Sequence, residues 1–190
     1  MTAIVPRMRI LLVSGSTRGG STNTALLRTA QTVAPADITA VLYDGLADLP
    51  AFNPDEDYEP LPAGVAALRG QIAAADAVLF CTPEYAGALP GSFKNLLDWT
   101  VGGAEMYGRF VAWINAASIA APTGGADAHA SLAKVLGYVG AVIIEPACIR
   151  LPMARSLVGP DGLIADASVR DRILDVLREI ARHVTTADAS

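Results

Sequence analysis

The sequence predicts an α/β fold in which helices cover both faces of a doubly wound parallel sheet. Two observations carry this. Short β-type runs alternate with helix-period runs from end to end, as in a chain of βαβ units. The β-type runs are also apolar throughout rather than at every second residue, which marks strands buried on both faces.

The five strand candidates are Arg9–Ser14 (RILLVS), Ile38–Tyr43 (ITAVLY), Ala77–Thr82 (AVLFCT), Phe110–Ala116 (FVAWINA) and Ala141–Leu151 (AVIIEPACIRL). Helices are expected at about 23–33, 63–75, 92–101, 128–139 and 168–185. The last is the clearest, because Val169, Ile173, Val176, Leu177, Ile180 and Val184 form one apolar stripe while the charged residues fall mostly elsewhere on the wheel. It reads as a covering helix without chemistry. Segment 47–62, with Pro, Asp and aromatic residues and no period, is a long loop.

Five such units form either a flavodoxin-like sheet in the order 2-1-3-4-5, the arrangement adopted here, or a truncated dinucleotide-binding sheet. Both bind ligands beyond the carboxyl ends of their strands at the switch point. The loops after strands one, three and four should therefore be functional, and these three have unusual composition.

With 190 residues and no linker-like stretch, the chain is expected to form one soluble domain over 1–190. Only 17% of residues are charged against 52% hydrophobic, which leaves few polar groups to cover a monomer and points to a homodimer or homotetramer. A net charge of −5 excludes nucleic acid as a natural partner. Apolar runs break well short of the roughly 20 residues of a membrane span, and no signal peptide is expected. Two cysteines, Cys81 and Cys148, far apart and without Cys-x-x-Cys spacing, suit a reducing, cytoplasmic setting.

After strand one the chain reads Gly15-Ser-Thr-Arg-Gly-Gly-Ser-Thr-Asn-Thr24 and then enters a helix. Amides and hydroxyls gathered at a helix N-terminus suit a terminal phosphate monoester. The candidates are Ser16, Thr17, Arg18, Ser21, Asn23 and Thr24, with Arg18 adding a charge-assisted bond from the rim. Thr17 breaks G-x-G-x-x-G, and Ser21 stands where a Walker A loop needs lysine, so a dinucleotide pyrophosphate and a nucleoside triphosphate are both disfavoured. A plain Ser/Thr-rich turn and helix cap explains any one of these hydroxyls but not the whole set.

After strand three comes Thr82-Pro-Glu-Tyr-Ala-Gly-Ala-Leu-Pro-Gly91. Two prolines fix its path and two glycines let backbone approach a ligand, so its amides can read the edge of a planar heterocycle. Tyr85 is placed to stack on it or border it, or else to pack on the helix after Pro90.

Together, G-S-x-R-x-x-S-x-N after strand one and P-E-Y-x-x-x-x-P-G-x-x-K-N-x-x-D-W after strand three resemble the NADPH-dependent FMN reductase family, over about residues 9–145. The resemblance implies a flavodoxin-like, homo-oligomeric, FMN-dependent oxidoreductase that takes reducing equivalents from NADPH or NADH to a small-molecule acceptor such as a flavin or quinone. It implies that Ser16, Arg18, Ser21 and Asn23 hold the FMN phosphate and that Pro83, Glu84 and Tyr85 lie along the isoalloxazine, with Ala86 and Gly87 completing that wall. Many members have Asn where this chain has Ala86. Lys94, Asn95, Asp98 and Trp99 match the family as well and read as helix-surface and interface residues. Phe93, Leu96 and Leu97 are core candidates, leaving Trp99 and segment 99–107 for a subunit contact.

The loop 117–127 after strand four suits the second wall of the flavin site through Ser118, Gly124 and Gly125, or else it is a mobile loop capped by Asp127. No catalytic residue is expected besides the flavin, and no metal. His129 and His183 lie at no ligand spacing and read as surface or helix residues. Two other readings stand beside the reductase: a flavodoxin-type electron carrier without NAD(P)H oxidase activity, and a flavin-free binding module.

Overall fold

The computed structural model describes residues 8–118 and 120–188. Residues 1–7, Ile119 of the fourth-strand loop and residues 189–190 lie outside the described residues.

The sheet runs β2 (Ile38–Tyr43), β1 (Met8–Ser14), β3 (Ala77–Cys81), β4 (Phe110–Asn115) and β5 (Val142–Ile143), with every neighbouring pair parallel. This is the expected flavodoxin-like 2-1-3-4-5 order. The central strands β1 and β3 are buried on both faces, which is why their sequences show no alternation.

Side chains alternate across the sheet, so each strand feeds two cores. Ile10, Leu12, Leu79 and Ile114 face one side, where α1 (Thr22–Val33) and α5 (Ala167–Asp188) cover them with Leu26, Leu27, Ile173, Leu177 and Ile180. Leu11, Val13, Val78, Phe80 and Val111 face the other, beneath α2 (Ala63–Ala73), α3 (Gly91–Asp98) and α4 (Ala126–Tyr138). The whole predicted stripe of α5 is buried.

The fifth strand departs from expectation. Residues 141–151 do not form one strand: β5 ends at Ile143, a 3₁₀ turn spans Glu145–Ala147, and β6 (Ile149–Arg150) resumes pairing with β4. Pro146 has no amide to donate, so the chain leaves the ladder there. The partner register moves from Val111↔Ile143 to Ile114↔Ile149, so the interruption is looped out without abandoning the edge of β4.

The long loop is irregular, as expected, yet firmly held. Asn95 accepts from the Phe52 amide at 2.7 Å and donates to the Pro50 carbonyl at 2.8 Å, and the Trp99 indole donates to the same carbonyl at 2.8 Å. Arg69 pairs with Asp57 at 2.5 Å and donates to the Trp99 carbonyl. Trp99 is therefore 0% exposed and cannot form a subunit contact, which corrects the expectation from its position. Its size and indole N–H serve to pin the loop instead.

Candidate functional site

Loop 15–21 leaves β1 against the end of β3. The Gly15 amide donates to the Cys81 carbonyl at 2.9 Å, and a Cβ on Gly15 would stand 2.2 Å from Thr82 Oγ1, so only glycine allows this approach. Ser14 Oγ accepts from the Ser16 amide at 3.3 Å and bonds Thr24 Oγ1 at 2.8 Å. Thr24 is thus turned into the loop's own scaffold. Asn23 Oδ1 accepts from the Cys81 thiol at 3.2 Å, which orients the amide; burial pushes that thiol well above its ordinary range, so Cys81 is an inert support. Ser21 is the N-cap of α1 and is 6% exposed, but its side chain makes no cap hydrogen bond.

Loop 82–90 carries a two-residue hairpin. Tyr85 and Ala88 exchange amide-to-carbonyl bonds at 3.0 and 3.1 Å, and the intervening Ala86 and Gly87 have φ of 51° and 70°. This is the type I′ pattern, which favours Asn-Gly. Ala86 therefore occupies a left-handed position where asparagine is the better residue. Tyr85 stands 53% exposed, which does not fit the alternative of packing on the following helix.

Glu84 does something the sequence did not suggest. Its carboxylate accepts from Thr123 Oγ1 at 2.5 Å and from the Asp127 and Ala128 amides at 3.1 Å, capping α4 from another loop. These bonds, the Thr123 one first, hold its carboxyl below the usual glutamate range. Asp127 is consequently not the cap; the N-cap is Gly125, with φ of 77°. Gly124 and Gly125 have φ of 60° and 77°, which favours glycine at both, and at Gly125 the space is closed as well. A Cβ at Gly124 would meet Arg150, and one at Gly125 would meet Asn115 Oδ1 at 2.8 Å. Asn115 Nδ2 in turn donates to the Gly124 carbonyl at 2.8 Å. His129 lies behind this cap, on α4 but 7% exposed rather than at the surface; burial lowers its pKa, and its Nδ1 meets the Gly125 carbonyl at 2.6 Å.

These loops enclose a cavity of about 410 Å³ at the carboxyl ends of β1, β3 and β4. Of the expected site residues it brings together Arg18, Asn23, Pro83, Glu84, Ser118 and Gly125. Thr17 instead lines a neighbouring cleft of about 540 Å³ beside Leu46, Leu49 and Asn95. Ser16, Ser21, Thr24, Tyr85, Ala86, Gly87 and Gly124 do not line the 410 Å³ cavity itself. Sequence reasoning missed Thr22, Ala116, Ala117, Ala121, Pro122, Met153 and Arg155. Met153 and Arg155 follow β6, so the rule that ligands sit at strand carboxyl ends, extended to the fifth unit, would have found them. Among the described residues no group of His, Cys, Asp or Glu is arranged to hold a metal ion.

A parallel 2-1-3-4-5 sheet with a cavity at the carboxyl ends of its strands defines a protein of the flavodoxin-like fold. The chain belongs to the NADPH-dependent FMN reductase family, whose model matches residues 8–155. It is 30% identical to an NAD(P)H-dependent FMN reductase of Pseudomonas aeruginosa over 175 residues, 91% of this chain and 93% of that one. It is 38% identical to a quinone reductase of Escherichia coli over 94 residues, 49% of this chain. The chain spans about half the length of that relative (50%). Among solved structures it resembles FerB, a flavoenzyme NAD(P)H:(acceptor) oxidoreductase of Paracoccus denitrificans, with a TM-score of 0.73 and 28% identity, covering 93% of this chain and 98% of that one.

Proposed function

We propose that this chain is an FMN-dependent oxidoreductase passing reducing equivalents from NADPH or NADH to a quinone, a flavin or a similar small acceptor. The observation that carries the reading is the convergence of three strand-end loops on one cavity whose phosphate end is cationic and rich in donors. Its volume lies in the range of small-molecule sites. The fit to FMN is chemical. Ser21 offers a hydroxyl at a helix N-terminus with no partner in its own cap, and Arg18 has no ion-pair partner among the described residues. Family membership supports the same cofactor.

Ser16, Arg18, Ser21 and Asn23 hold the phosphate, and Thr24 acts through Ser14 to set the loop. The amides around Pro83, Glu84, Ala86 and Gly87 border the ring, with Tyr85 at its solvent edge. Ser118 and Gly125 form the second wall, and Glu84 and Gly124 fix the spacing between the walls. FMN, when bound, supplies the acceptance of hydride and its onward delivery. The chain's part is to hold the ring edge open to two substrates in turn, and no side chain is required as an acid or base.

The chain acts as one domain and as a homo-oligomer. Support comes from a cleft of about 480 Å³ between α3 and α4, where Val101, Val135, Tyr138 and Val139 are bordered by Lys94, Asp98, Ser131 and Lys134 and Tyr138 is 84% exposed. Its setting is the cytoplasm, consistent with Cys81 and Cys148 both being unpaired.

The test is NADPH oxidation by purified, FMN-supplemented protein with a benzoquinone as acceptor. Steady consumption of both is expected. Protein that stays colourless after FMN addition and desalting, or that oxidises no NADPH or NADH, refutes the proposal.

A further inference from the structure

We infer that Arg155, on the segment after β6, is a second cation, beside Arg18, for the dianionic phosphate of the flavin. The inference rests on the FMN reading above and extends it to a residue outside both sequence motifs.

The geometry is specific. Arg155 lies in a 3₁₀ turn (Arg155–Leu157), and its guanidinium comes down over the phosphate loop: a Cβ built on Gly20 would stand 3.8 Å from one of its terminal nitrogens. Gly20 itself has φ of 64°, so the loop bends back at the point the arginine faces. Arg18 and Arg155 line the same cavity from different ends of the chain. Neither has a carboxylate within ion-pair distance among the described residues. Both are solvent-exposed, and two positive charges lining one cavity raise the local positive potential that an anion meets there. The one carboxylate lining the cavity, Glu84, is already held by Thr123 and the amides of α4.

What such a pair recognises is a compact dianion with several acceptor oxygens, approached by planar forks from two sides. The nearness to Gly20 assigns it to the phosphate bound at the N-terminus of α1, rather than to the 2′-phosphate of a nicotinamide nucleotide entering over the ring.

The experiment is a titration of apo-protein with FMN and, separately, with riboflavin, followed by quenching of flavin fluorescence, for wild type, Arg155→Gln and Arg155→Lys. Loss of charge-assisted bonds should weaken FMN between about tenfold and a hundredfold in Arg155→Gln. Riboflavin should change less than about twofold, and Arg155→Lys should recover part of the loss. The FMN affinity of Arg155→Gln should also depend less on salt. Equal FMN affinity in wild type and Arg155→Gln overturns the inference while leaving the FMN reading intact. So does an unchanged FMN affinity with a raised KM for NADPH but not NADH, which moves Arg155 to the nucleotide. Wild-type protein that binds no FMN overturns both. Apo-protein melting of each variant is the folding control, and equal losses for FMN and riboflavin would count against a phosphate contact.

Discussion

Glu84 and Thr123 join the two loops that flank the cavity: Thr123 Oγ1 donates to the Glu84 carboxylate at 2.5 Å, and the same carboxylate caps α4. An acid from loop three thereby supplies the capping acceptor that the glycine N-cap of α4 cannot, and adds its charge to that of Asp127 in the first turn. Its folded pKa is depressed, so its contribution is present above the unfolded value and lost as pH falls through the folded one. Glu84→Gln should lower the melting temperature near neutral pH, and its gap from wild type should narrow progressively as the pH falls below the ordinary glutamate value of about 4.3. Hydrogen exchange should rise at the Asp127 and Ala128 amides. A gap independent of pH across that range would remove the charge from the argument.

Tyr85 is more than half exposed at the hairpin, and on the proposed reading it borders the ring rather than the phosphate. Tyr85→Ala should leave stability within about 0.5 kcal/mol of wild type, as exposed positions do. FMN occupancy should also hold, while turnover or KM for the acceptor changes. Unchanged kinetics for every acceptor, with a lowered melting temperature, would make Tyr85 a packing residue.

At Ala86 the chain carries a strained turn. A non-glycine residue at φ 51° costs roughly 1–2 kcal/mol, less for asparagine, which tolerates the left-handed region. Ala86→Asn should raise apo-protein stability by about 0.5–1 kcal/mol in urea denaturation, and Ala86→Val should lower it. Equal stability of all three would mean the turn relaxes in solution.

The exposed Tyr138 and Val101 beside the α3–α4 cleft carry the oligomer proposal. Light scattering at micromolar concentration should give a multiple of 19.6 kDa for wild type and a smaller mass for Tyr138→Glu. A wild-type mass of 19.6 kDa would defeat it.

Much of this molecule was legible in its sequence because strands buried on both faces are continuous apolar runs and the α5 stripe is periodic; the succession of units left two sheet arrangements open, and the family motifs favoured the one observed. The break at Pro146 was legible too, since proline cannot stay in a ladder, but a long apolar run hid it. Trp99, Glu84 and Arg155 were misread or missed for a common reason. Each acts on a segment distant in sequence: Trp99 on Pro50, Glu84 on α4, Arg155 against Gly20. Local spacing describes a residue's own loop and says nothing of the loop it meets. Thr24, expected as a ligand residue, bonds Ser14 across the loop, a contact its spacing did not suggest.

The central claim is that the first loop binds a phosphate and the protein thereby holds FMN. It is tested most directly by the affinities of FMN and riboflavin for wild type and for the Ser16→Ala/Ser21→Ala double variant. Because the Ser21 side chain makes no cap bond, its loss should cost the apo-protein little. Each hydroxyl bonded to a charged phosphate is worth roughly 1.5–3 kcal/mol. FMN should bind wild type well and weaken more than tenfold in the variant, with riboflavin nearly unchanged; equal losses for both ligands, or no preference of wild type for FMN over riboflavin, would contradict the account.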